Sequence, residues 1–145
     1  MELGVAAVLA RVQAIELGRL RAVSLAMMAS IPFAMAFQLI VDPSLLVTLT
    51  SGGAWVGATL TYLLIRRAWI PARWAGAITC ALWSAATSSI ISGYGVYRDP
   101  GWTSLIVVMV IANGTVQLSH LYVIVPSLVA AVAWLAVAVH QGQPG

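Results

Sequence analysis

The fold class this sequence predicts is all-α: a polytopic integral membrane helix bundle of about five transmembrane helices, preceded by a short N-terminal interfacial helix. Hydrophobic residues make up 61% of the 145 positions and charged residues only 8%. A soluble domain carries about 25% charged residues, so this chain has too few to cover a water-facing surface. The apolar residues fall into runs near the ~20 residues that cross roughly 30 Å of hydrocarbon. The arginines lie between those runs and form no basic face. The formal charge of +3 therefore reads as membrane topology, with membrane lipid as the partner and no nucleic acid.

Residues 1–21 form the N-terminal cytoplasmic or interfacial helix, with Val5, Val8, Leu9, Val12 and Ile15 on one stripe at helical spacing. They are not a cleavable signal peptide, because the following apolar run is too long and no small-residue cleavage site follows it. Residues 22–139 form the transmembrane bundle. Its first span, 22–41, ends at Asp42-Pro43, and its second, 45–65, closes on the basic loop RRAWIPAR. The third span, 74–94, precedes the turn-forming GVYRDPG. The fourth, 102–118, is short, and Ser119 and His120 allow a reversal into the fifth, 121–139. Residues 140–145 are a C-terminal tail. Pro32 and Pro126 each remove a backbone hydrogen bond and predict a kink.

Arginine asymmetry sets the orientation. Arg11, Arg19 and Arg21 precede the first span, and Arg66, Arg67 and Arg73 lie between the second and third; Arg98 alone falls opposite. Trp69 and Trp74 bracket the inner loop, and Tyr94, Tyr97 and Trp102 the outer one. The expectation is a multi-pass protein of the cell's inner (plasma) membrane with its N-terminus cytoplasmic.

Small residues four apart mark contact faces in lipid. The third span has two such rows: Gly76, Cys80, Ser84, Ser88 and Ser92, and beside it Ala77, Ala81, Ala85, Ser89 and Gly93. This predicts a central helix. Gly53 and Gly57 make a GxxxG pair in the second span, serving intrachain packing or a homodimer. Cys80 is the only cysteine, so no disulfide forms within one chain.

The stretch IANGTVQLSH places Asn113, Gln117 and His120 on one helical face. A ligand site, a conduction path and helix-to-helix hydrogen bonding are the three readings. Gln117 and His120 fall near the cytoplasmic interface, whereas Asn113 is deep and needs a partner, with Ser84 and Ser88 the expected ones. Asn113-Gly114-Thr115 matches a glycosylation acceptor, but burial makes the match accidental. His120 and His140 are about 30 Å apart along a helix, too far to share one haem. No carboxylate falls within a span, which argues against ion-coupled transport. No GxSxG, HExxH or paired carboxylate set is present. No catalytic residue, metal ligand or cofactor is expected, and the chain reads as non-catalytic.

GRLRAV leading into the first span, the short outer DPS turn, the basic RRAWIPARW inner loop and the tight apolar hairpins thereafter resemble the N-terminal membrane sensory regions (MASE-type) of bacterial diguanylate cyclases and histidine kinases. The resemblance covers nearly the whole chain and rests on layout. It implies sensing of a membrane or small-ligand signal and its relay by helix movement, with no family site residue to carry over. Such regions have an even number of spans before a cytoplasmic output domain. Five spans with no output segment imply a truncated sensor or a complete small membrane protein of another kind. The leading reading is a sensory or signal-relay membrane module. The alternatives are a small accessory subunit of a larger membrane complex, or a channel or facilitator for a small solute. Other membrane subunits or a second copy are the expected protein partners.

Overall fold

The computed structural model describes residues 2–41, 44–97, 101–116 and 120–142. Among them there is no strand. Five helices follow in order: α1 (Glu2–Val41), α2 (Leu45–Arg66), α3 (Ala75–Tyr97), α4 (Gly101–Val116) and α5 (His120–Gly142), with a short 3₁₀ turn at Ala72–Trp74 before α3. Three helical stretches are long and apolar enough to cross a membrane: Gly4–Ile40, Ala72–Tyr97 and Val123–Gly142. α2 has the length but is diluted by Thr48, Thr50, Ser51, Gly52 and Gly53. α4 has 16 residues, short of the ~20 that cross unaided.

The expected interfacial helix and first span are one element. α1 runs through Arg19 and Arg21 without a break over 40 residues. Leucine, alanine and arginine are all strong helix formers, so charged residues between two apolar runs do not end the helix. Pro32 lies inside α1 and Pro126 inside α5.

α3 packs against all four other helices, and α1 and α2 also pack on each other, as do α4 and α5. The molecule is thus two three-helix units sharing α3. The first unit holds the main core: Leu20, Val23 and Met27 of α1 meet Ala54 and Ala58 of α2 and Ala75 and Leu82 of α3. Large side chains come mainly from one helix and alanines from its neighbours. This lets backbones approach closely where lipid supplies no hydrophobic drive between helices. Buried residues on α3 run Gly76, Thr79, Leu82, Ser89, Gly93. That line crosses both small-residue rows and follows neither: Ser88 and Ala81 are exposed.

Hydroxyls inside the helices are satisfied locally. Ser24 donates to the Leu20 carbonyl at 2.8 Å, Thr79 to Ala75 at 2.8 Å, Thr87 to Trp83 at 2.8 Å and Ser88 to Ser84 at 2.8 Å. Each returns its proton one turn back, which removes the cost of a bare hydroxyl in apolar surroundings. Pro32 lacks an N–H and so leaves the Met28 carbonyl without its intrahelical donor. The Trp55 indole N–H of α2 donates to that carbonyl at 3.3 Å. A neighbouring helix thereby fills the vacancy the proline creates.

The α2 C-terminus closes in a Schellman arrangement: Trp69 N–H donates to the Leu64 carbonyl and Ala68 N–H to that of Ile65. Ala68 takes the left-handed conformation this needs, φ 55°, although it carries a Cβ. Arg67 then stacks over the Trp69 ring at 5.7 Å.

Candidate functional site

α1 and α4 flank α3 on the same side of the bundle, and between them lies an open groove of about 1000 Å³. That is at the top of the roughly 300–1,000 Å³ range of ligand pockets. One wall is α1 from Ala22 to Gln38, about 24 Å of helix. Trp83, Ala86 and Ile90 of α3 make the floor, and Leu105, Met109 and Ala112 of α4 make the other wall. The short side chains of α1 here (Ala22, Ala26, Ser30, Ala34) leave the space open.

The lining is almost wholly apolar, with two exceptions that matter. Gln38 Oε1 and Trp83 Nε1 are both buried and have no hydrogen-bond partner among the described residues. Both belong to groove-lining residues. A buried polar atom left unsatisfied costs about 1–3 kcal/mol. Both atoms are closed off from the open groove, and Trp83 also borders a second, smaller space toward α5, so a molecule lying in the groove meets chiefly apolar side chains. Among the described residues, no group of three His, Cys, Asp or Glu side chains could hold a metal.

The polar stripe is placed differently. Asn113 is 4% exposed. It borders a space of about 10 Å³ that it shares with Trp83 and Thr87 of α3 and Pro126 and Ser127 of α5. This is at the lower limit for a single water, about 10–15 Å³, and leaves no room for a solute. Ser84 and Ser88 do not line it. Gln117 lies outside the described residues, as does the side chain of His120, which opens α5.

Of the expected packing residues, Gly76 is buried, and Cys80 and Ser84 are half-buried. Gly57 faces Leu82, whose Cδ2 would lie 3.7 Å from an added Cβ. Gly53 is exposed, and an added Cβ there would meet nothing. Half of the GxxxG pair therefore faces outward.

Arg21, Arg66, Arg67 and Arg73 are exposed and Arg19 is half-buried. They gather at one end of the bundle, since α1 packs on the Ala72–Trp74 turn and Leu20 shares a core with Ala75. At the other end, Gln141 Nε2 donates to the carbonyls of Tyr94 and Gly95, each at 3.1 Å. These belong to the last turn of α3, whose carbonyls have no intrahelical donor. The Tyr94 and Trp134 rings meet beside them at 6.4 Å.

Sequence reasoning missed the groove, Gln38 and the Trp83 indole. The one available signal was the run of small residues on α1, Ala22, Ala26, Ser30 and Ala34, four apart. Comparison of the chain with protein-family models, with curated proteins and with solved structures found no match.

Proposed function

We propose that this chain is a five-span protein of the cell's plasma membrane, N-terminus cytoplasmic, and that it is a sensory module for a lipid-soluble ligand. The ligand enters the groove sideways from the bilayer, and α1 relays its presence to the cytoplasmic side. The observation that carries this reading is the open, almost wholly apolar groove between α1 and α4, of the size that ligand pockets reach. α1 supports the relay: the helix that forms one wall continues past Arg21 through the exposed stripe to Val5. The arginines gathered at that end support a cytoplasmic placement.

A diazirine-bearing long-chain fatty acid tests the proposal on the full chain in lipid nanodiscs. Labelling is expected on the Trp83–Ile90 and Leu105–Ala112 segments, and Ala86→Phe, which fills the floor, should abolish it with helicity unchanged. Equal labelling of Leu128 and Val132, on the exposed face of α5, would show ordinary lipid contact and defeat the idea.

The outward-facing Gly53 favours a second reading, an accessory subunit whose α2 receives another protein's helix. Purification in mild detergent reads it directly: a stoichiometric partner supports it and a lone monodisperse chain opposes it. The closed space beside Asn113 gives the facilitator reading no support.

A further inference from the structure

We propose that α1 is the contact helix of a parallel dimer, and that a second copy of this chain covers the open lip of the groove. From Val5 to Pro32, α1 carries an unbroken seven-residue repeat. Val5, Val8, Val12 and Ile15 occupy its seam in the first half, at alternating spacings of three and four. All four are exposed. Arg19 follows, then Ala22, Ala26 and Ala29 in the same register, all three exposed. A repeat of 3.5 residues drifts about 20° per heptad on a straight helix, and it stays in contact only with a second helix of the same repeat, wound left-handed.

The two halves of the seam suit two solvents. Branched Val and Ile fill a knobs-into-holes seam in water. Alanines let two backbones close on each other in lipid, where close packing drives association. Arg19 stands at the changeover. A single polar residue in such a seam fixes register, and its long stem carries the charge out to the headgroup level.

Charge identifies the partner as a second copy and sets its direction. Arg11 and Glu16 flank the seam on opposite sides, five residues apart. In a parallel, in-register pair these are the positions that meet across the interface, so each Arg11 faces the partner's Glu16, twice by symmetry. An antiparallel partner sets like flank against like flank and loses both pairs. Ala22 and Ala26 belong to the seam and also line the groove. The second α1 would therefore run along the groove's open side, making a ligand there a contact of both copies. This inference rests on the membrane placement proposed above, because parallel helices require both copies to insert the same way.

The test uses the full chain in native membranes with Cys80→Ala, adding one cysteine at a time. Val12→Cys and Ile15→Cys should give a disulfide-linked dimer under mild oxidation, while Ala10→Cys and Ala14→Cys, off the seam, give little. With Val12→Cys, Arg11→Glu or Glu16→Arg alone should lower dimer yield roughly three- to tenfold, two weak attractions becoming repulsions. The two together should restore it, a rescue that a pair acting within one helix cannot produce at this spacing. Uniform or absent cross-linking, or no rescue, overturns the dimer. A reporter fused after Arg73 reads the orientation separately. If it reads inside while cross-links fail, the dimer is wrong and the membrane placement stands; if it reads outside, the placement itself is wrong.

Discussion

The two three-helix units that share α3 are built differently. α1, α2 and α3 enclose a contiguous core in which Leu20, Ala58 and Ala75 are fully buried. In the unit of α3, α4 and α5, the buried side chains of α4 and α5 among the described residues are scattered: Ile106 and Asn113 on α4 and Ala130 on α5. What ties α5 to α3 is the Gln141 contact with two terminal carbonyls and the Tyr94–Trp134 pair. α4 and α5 are more apolar in composition than α1 and α2, so hydrophobicity is not what makes the first unit the better packed. The first unit sets large side chains against alanines; the second presents Val, Leu and Ile outward on α5. In lipid, an apolar surface has no reason to leave its solvent, and only shape or hydrogen bonding gathers helices.

The sharpest way to probe this contrast is to truncate one leucine in each unit. Leu20→Ala should lower unfolding free energy in bilayer-like detergent by roughly 2 kcal/mol, the cavity contribution with little transfer contribution. Leu128→Ala, on the exposed face of α5, should change it by less than about 0.5 kcal/mol. Equal losses would mean that burial in lipid acts like burial in water, and the contrast would collapse.

A second probe concerns the proline repair inside the first unit. Trp55→Phe should cost about 1–2 kcal/mol by leaving the Met28 carbonyl without a donor. In a Pro32→Ala background the helix supplies its own donor, and the same change should cost less than about 0.5 kcal/mol. Additive losses would show that Trp55 matters through packing alone.

The smallest effect lies at the α2 terminus. Ala68→Gly should raise stability by about 0.5–1 kcal/mol, since glycine takes the left-handed conformation without a Cβ penalty. A loss of stability would mean the Ala68 backbone relaxes in solution to an ordinary conformation.

Much of the helix layout was legible in the sequence, for physical reasons. Pro43, the RRAWIP loop and the GVYRDPG turn interrupt apolar runs with residues that stop helices or require water, and α2 and α3 begin and end close to them. The continuity of α1 was not legible, because arginines beside an apolar run read as a boundary between segments and yet extend a helix equally well. Pro32 announced an orphaned carbonyl, but its donor, Trp55, comes from another helix 27 residues away from Met28. The small-residue rows of α3 marked it as a packing helix and misjudged which line is buried. The hydroxyls of Thr79, Thr87, Ser88, Ser89 and Ser92 return to the backbone of α3 itself, so they did not direct its contacts with other helices. The groove left only a faint local signature, the small residues of α1, because it exists through α1 and α4 standing apart around a shared floor.

A helix of 40 residues measures about 60 Å, twice the thickness of a bilayer's hydrocarbon. Within one copy the core grips α1 from about Leu17 onward, so the helix forms a lever with its fulcrum near Leu20. Wedging the wall beside Ala26 by about 5° would swing the free arm near Val5 by roughly 2 Å, from helix rise alone. Amplification of that kind costs no additional machinery; it follows from a stiff rod held by its own chain at one end, and in the proposed dimer the two arms would swing as a pair.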